Sequence, residues 1–288
     1  MSPLQLFAAC VGIWGSTWLA ITFQLGKVAP EASVFYRFLL ASALLFSWCR
    51  LAGMRLRFGA ADHGWFALQG VMMFSIGYVS VYYAEKYLVS GLVAVGYSAS
   101  PLLNMILARF VFGTPVTLRV GLGAAMGIVG IALVFWPEFA RLGEGGDVAL
   151  GVAFTMFSVV LSALANLVAH RNHEAGLPTW QTMAWGMLYG SMTTLLLALV
   201  TGKPLDFEPT VPYVASLVYL AVFGSILAFG AFLNLLFRVG AARAGYVGVM
   251  VPIVALVFSS IFEGYRWSAL GLCGVAISVA GNVIMLRK

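Results

Sequence analysis

Charge is what this chain has least of. Of 288 residues, ten are Asp or Glu and sixteen are Lys or Arg, so charged residues make up 9% against 62% hydrophobic. So few charges cannot clothe the surface of a water-soluble domain, and a mean hydropathy of +0.98 leads to the same class, a polytopic membrane protein. Cysteine is scarce too. Cys10, Cys49 and Cys273 are an odd number of thiols inside apolar segments with no metal-ligand spacing, which predicts packing residues. The three histidines, His63, His170 and His173, fall in or beside loops, and no nucleophile or acid–base pair accompanies them. The sequence therefore predicts no catalytic constellation, no metal and no cofactor. Its excess of six positive charges is spread thinly over the loops, so membrane topology explains it better than a nucleic-acid partner.

What the chain has in abundance is apolar length. Ten runs run approximately from Pro3 to Gly26, Ala32 to Gly53, Trp65 to Tyr83, Ser90 to Phe112, Leu118 to Trp136, Val148 to Ala169, Trp180 to Val200, Val211 to Phe237, Ala244 to Phe262 and Trp267 to Leu286. Crossing roughly 30 Å of hydrocarbon takes about 20 residues of helix. The runs are too long and too uniformly apolar to be the alternating strands of a barrel. The first lacks a basic leader and is too long for a secretory signal, so it is expected to remain in the mature protein.

Sliding the chain by 151 positions superposes Pro101 on Pro252, Gly113 on Gly264, Gly123 on Gly274 and Gly130 on Gly281. The chain contains its own pattern twice, a signature of duplicated transporters. A Gly- and acid-rich break, PEFARLGEGGD from Pro137 to Asp147, separates the copies. The predicted organisation is a first repeat at 1–137, an external linker at 138–147 and a second repeat at 148–288. An odd number of spans per copy turns the second against the first. The predicted fold is an all-α integral membrane protein of ten transmembrane helices, arranged as two inverted five-helix repeats around a central cavity and suited to alternating access.

The stretches GIWGSTW (Gly12 to Trp18), YRFLLAS around Arg37, YAEKYLVSGLVAVGYSASPLLNMILA (Tyr83 to Ala108) and GLCGVAISVAGNVI (Gly271 to Ile284) resemble EamA-type members of the drug/metabolite transporter superfamily. With FEGYRWSALG (Phe262 to Gly271), the chain looks most like the YddG-type exporters of aromatic amino acids. The resemblance implies a cavity lined mainly by the first, third, fourth, sixth, eighth and ninth helices. It also implies export of a small molecule through the inner membrane. Relatives often carry a glutamate after the glycine that closes the fourth helix; here Thr114 follows Gly113, whereas Glu263 precedes Gly264 in the second copy. Small multidrug relatives use a glutamate in the first helix, which is missing. The cavity lysines or arginines of phosphate-sugar exchangers are expected to be missing as well.

Helical spacing picks out candidate stripes. They are Trp14, Thr17, Trp18 and Ile21 on the first run, Ser75, Tyr78 and Tyr82 on the third, and Tyr97, Pro101 and Asn104 on the fourth. Thr155, Ser158, Ser162 and Asn166 follow on the sixth, Ser225, Phe229 and Asn234 on the eighth, and Tyr246 and Met250 on the ninth. Rings with a few hydroxyls and amides suit a planar, partly apolar solute. The expected substrate-binding set is Trp18, Tyr78, Tyr82, Tyr97, Asn104, Ser162, Asn166, Phe229 and Tyr246. Helix packing and interfacial anchoring remain open for each. Pro101 and Pro252 are expected to bend their helices, and the carbonyls of Tyr97 and Gly248 that they release are candidates to receive a substrate ammonium. Arg37 is expected to snorkel outward or cap a neighbouring helix. With no carboxylate at mid-membrane, the expected partners are a solute of no net charge and the lipid bilayer. The alternatives are a proton-coupled drug or metabolite exporter on the same fold and, in another class, a membrane enzyme or structural bundle.

Placing both termini in the cytoplasm puts ten basic residues inside and five outside, Lys27, Lys86, Arg141, Lys203 and Arg266. Cysteines introduced singly at Arg141 and Lys288 are therefore expected to react with a membrane-impermeant thiol reagent from opposite sides of the membrane. Labelling of both from one side would contradict the inversion.

Overall fold

The computed structural model describes residues 1–112, 118–140, 147–239 and 246–286, and these are helical with no strand. Helix α1 (Pro3–Thr22) starts at a reciprocal cap, in which Gln5 N–H donates to Ser2 Oγ at 3.3 Å and Ser2 N–H to Gln5 Oε1 at 2.7 Å. Helix α2 spans Pro30–Leu51, its proline in the first turn where no amide partner is needed. The third rod is composite: α3 (Ala60–Val71), a π segment (Met72–Ile76) and α4 (Gly77–Ala84). So is the fourth, with α5 (Ser90–Gly96), a 3-10 turn (Tyr97–Ala99) and α6 (Ser100–Phe112). Helix α7 (Leu118–Ala140) closes the first half.

The second half begins with α8 (Asp147–Glu174) and α9 (Thr179–Val200). A second composite rod follows, α10 (Val211–Tyr219), a π segment (Leu220–Leu227) and α11 (Ala228–Val239), and then α12 (Tyr246–Phe262) and α13 (Ala269–Leu286). Among the described residues, seven helical stretches are long and apolar enough to cross a membrane, and Gly121–Pro137, Tyr246–Phe262 and Ala269–Ile284 are shorter apolar helices. This is a multi-span membrane protein. Helix α7 continues through Pro137 to Ala140 and α8 starts at Asp147, so helix covers both ends of the predicted linker; residues 141–146 and Gly113 lie outside the described residues.

The duplication is visible in the packing. Helices α2 and α9 pack on each other, as do α7 and α13, and α5 and α12, each pair being its own image under exchange of the halves. Other contacts come in exchanged pairs. Helix α1 packs on α12 as α8 packs on α6, and α1 packs on α11 as α8 packs on α4. Even the helical defects repeat, since the first π segment, shifted by the 151-residue offset, falls within the second. A pseudo-two-fold relation therefore organises the bundle.

Helix α7 meets α13 through glycines at the repeat positions. A Cβ on Gly130 would stand 2.6 Å from the Gly274 carbonyl oxygen, one on Gly274 2.6 Å from that of Gly130, and one on Gly281 2.6 Å from that of Gly123. These two crossings exchange under the repeat. Without a hydrophobic force between helices in lipid, such close approach and buried hydrogen bonds hold rods together. Ser42 Oγ donates to the Ala184 carbonyl at 3.0 Å, Thr194 Oγ1 to Ser75 Oγ at 2.8 Å, and Asn172 Nδ2 to Gln69 Oε1 at 3.0 Å. Leu122, Ile128, Leu196, Leu199 and Ile261 face outward, where lipid would cover them. Cys10 and Cys49 are buried as expected of packing residues, but Cys273 is exposed, because its position on α13 turns away from α7.

A side chain forced into the α7–α13 crossing should cost about 1–3 kcal/mol. Gly274→Val is expected to lower the melting temperature of the detergent-solubilised protein, whereas Gly121→Val, whose Cβ would meet nothing within 4 Å, should leave it unchanged.

Candidate functional site

The two halves enclose a cavity of about 330 Å³. Helix α1 contributes Trp14, Thr17, Trp18 and Ile21, and the third rod Met72, Met73, Gly77, Tyr78 and Val81. From the fourth rod come Ala94, Tyr97, Ser100 and Asn104, and from α8 Ser158, Ser162 and Asn166. Phe229 and Phe232 of α11, Gly248, Val251 and Pro252 of α12, and Arg37 of α2 complete the lining. Six rods are those the family resemblance implied; α2 is the addition.

Six of the lining residues are aromatic, and two pairs of their rings meet edge to face. Trp14 meets Phe229 with centroids 5.1 Å apart, and Trp18 meets Tyr97 at 5.1 Å. Such contacts fix ring orientation beyond simple area burial. The Trp14 indole N–H donates to the Gly224 carbonyl at 3.2 Å, inside the second π segment, where the regular amide ladder is interrupted. Amide groups gather elsewhere on the wall, where Asn166 Nδ2 donates to Asn104 Oδ1 at 3.4 Å.

The EamA-like transporter family model matches this chain twice, over residues 2–136 and 149–287. The chain belongs to the EamA-like transporter family. Similar proteins include the "Uncharacterized inner membrane transporter YedA" of Escherichia coli K12, 27% identical over 287 residues and covering 94% of this chain and 88% of the relative. "Protein PecM" of Dickeya dadantii is 26% identical, covering 99% and 92%. A solved crystal structure shares the fold with a TM-score of 0.71 at 16% identity, covering 99% of this chain and 96% of the other.

In this EamA-like transporter the cavity brings together Trp18, Tyr78, Tyr97, Asn104, Ser162, Asn166, Phe229 and Pro252 of the residues singled out by spacing. Tyr82 and Tyr246 are not among the lining residues. Tyr82 is fully buried, its hydroxyl donating to Gln24 Oε1 at 2.7 Å. The step of four residues from Tyr78 turns it about 40° around the helix, enough to leave the cavity face. Tyr246 begins α12 two residues before Gly248, roughly on the opposite face. Ser75 lies within the first π segment, whose wider turn breaks the 3.6-residue spacing and directs its hydroxyl to α9. Thr155 is buried against Gly96, and Asn234 Nδ2 donates to the Gly230 carbonyl at 3.0 Å. The Pro101 side chain lies outside the described residues. The Tyr97 carbonyl is not left free as expected, since Ser100 N–H donates to it through the 3-10 turn.

The transporter's Arg37 departs furthest from expectation. It neither snorkels nor caps a helix; it is 1% exposed and on the cavity wall, so the cavity is not without charge. Arg37 Nε donates to Ser225 Oγ at 3.3 Å, and the guanidinium carbon sits 4.5 Å from the Tyr78 ring centroid and 5.1 Å from that of Phe38. Two turns of helix from Pro30 are too few to reveal from sequence which way the side chain points.

Acidic groups also hide near this end. The Tyr83 hydroxyl donates to Glu31 Oε1 at 2.9 Å. Glu263 takes hydrogen bonds from Ser90 N–H at 3.1 Å and from the hydroxyls of Ser90 and Ser259. Glu85, just past the end of α4, is 7% exposed and neither of its carboxylate oxygens has a hydrogen-bond partner. Burial pushes its carboxyl well above the ordinary range, Glu263 adds to the push and Arg37 opposes it. Nothing in the sequence around Glu85 signals its burial.

In a cysteine-free background, Ser162→Cys and Asn104→Cys should react with a water-soluble thiol reagent at least tenfold faster than Ser75→Cys or Thr155→Cys. The last two positions have no exposed surface. Equal rates at all four would contradict the cavity.

Proposed function

We propose that this transporter exports aromatic or similar hydrophobic amino acids and related neutral metabolites across the inner membrane by alternating access. In this reading ten spans form two inverted five-helix halves, 1–137 and 148–288, joined by an external linker at 138–147, with both termini cytoplasmic. The ring-lined cavity between the halves carries the proposal. Tyr78 and Phe229, which occupy equivalent positions in the two repeats, both line it. Aromatic walls favour a planar apolar group, and the Asn104–Asn166 pair offers both donors and acceptors to the polar end of an amino acid. The names of the relatives support transport in general, and the E. coli relative's name supports the inner membrane.

A second reading is favoured by Glu85. A buried carboxyl with no partner is the kind of group that takes up and releases a proton during transport. On that reading the protein is a proton-coupled exporter of drugs or other metabolites.

Counterflow in proteoliposomes, screened across the twenty amino acids, is expected to show phenylalanine, tyrosine or tryptophan as the fastest solutes without a pH gradient. Tyr78→Ala should lower that flux at least tenfold, while Trp180→Ala, outside the cavity lining, should change it less than twofold. Strict dependence on a pH gradient, abolished by Glu85→Gln, would favour the second reading. Absence of amino-acid flux would remove the first.

A further inference from the structure

We propose that Arg37 is an anion-binding subsite of the cavity, whose guanidinium pairs with the carboxylate of an aromatic solute. This rests on reading the cavity as the substrate path and adds what the solute must carry. Arg37 is the sole charged residue among the described residues that line the cavity. Its Nη1 has no hydrogen-bond partner although the residue is 1% exposed. A buried cation left unpaired is costly, and no ion pair reaches Arg37 from a described residue.

The surroundings hold the group in place without satisfying it. Ser225 Oγ gives its own proton to the Leu220 carbonyl at 2.9 Å and so presents a lone pair to Arg37 Nε. Tyr78 supports the guanidinium face and Tyr82 lies beside the group, which leaves Nη1 in the guanidinium plane without an acceptor among the described residues. A planar fork of donors matches a carboxylate in two parallel hydrogen bonds. The adjoining aromatic wall then receives a ring attached to that carboxylate. Charge matching sets the class: one fixed cation balances one carboxylate, whereas a phosphate dianion would leave a negative charge uncompensated in the cavity.

The test compares four ligands on the purified, reconstituted full chain: L-phenylalanine, 3-phenylpropionate, which keeps only the acid, phenethylamine, which keeps only the amine, and phenylalanine amide. Dissociation constants come from the quenching of intrinsic tryptophan fluorescence, and fluxes from counterflow. The expected result is that phenylalanine and phenylpropionate bind at least tenfold more tightly than phenethylamine and the amide. Arg37→Gln should weaken the two acids at least tenfold and the other two less than twofold, and Arg37→Lys should restore part of the preference. Phenethylamine binding as tightly as phenylpropionate to the wild type would overturn the subsite, and so would a parallel loss of all four ligands in a folded Arg37→Gln protein. If the variants do not fold, the wild-type series alone decides. Acid preference without flux of any amino acid would sink the proposed function and leave the subsite standing. Flux of amino acids together with equal binding of phenethylamine would do the reverse, and binding of none of the four would sink both.

Discussion

Inside hydrocarbon no water is available to satisfy a peptide group, so each helix must close its own hydrogen bonds except where it is broken for a reason. This transporter breaks three of its rods, and each break lies at or beside the cavity. Within the second π segment the Gly224 carbonyl accepts from the Trp14 indole and the Leu220 carbonyl from Ser225, whose oxygen then holds Arg37. The first, at the equivalent position, turns Met72 and Met73 into the chamber and sends Ser75 to α9. Ahead of Pro101, a 3-10 turn lets Tyr97 face Trp18 while its carbonyl still finds a donor in Ser100. The chamber's chemistry is thus built where regular helix is given up and the loose groups are repaired by neighbours.

The repeat supplies the frame around these breaks. Glycines on α7 and α13 let two helices meet at backbone distance, and the two crossings exchange when the halves exchange. The α2–α9 pair is likewise its own image when the halves exchange, though α2 carries no glycine. Contacts that are symmetric in this way allow two packings of equal kind, one open to each side, and the cavity lies between the halves that would trade roles. The buried acids Glu31 and Glu85 and the half-buried Glu263 belong to helix ends and would be disturbed by such a trade.

Much of this was legible in the residues. Apolar length and the 151-residue offset gave all-helical architecture and a doubled chain, and the α1 stripe of Trp14, Thr17, Trp18 and Ile21 lines the cavity without exception. Regular helix makes regular spacing trustworthy. The stripe on the third rod was less so, because a π segment shifts the face in a way that no residue type announces; Ser75 and Tyr82 were lost to it and to the turn beyond Tyr78. Burial of a charge such as Arg37 or Glu85 depends on which neighbours arrive from distant helices, for Arg37 Ser225 from the other half.

Rocking of the two halves is the claim that everything functional depends on, and the distance across one mouth of the bundle measures it most directly. Spin labels at Lys86, beyond α4, and Arg266, beyond α12, report on the two halves from rod ends that the basic-residue count assigns to the same side of the membrane, in lipid nanodiscs. Pulsed dipolar spectroscopy is expected to find two separations whose ratio shifts when a transported solute is added. One separation, unmoved by saturating solute, would contradict alternating access.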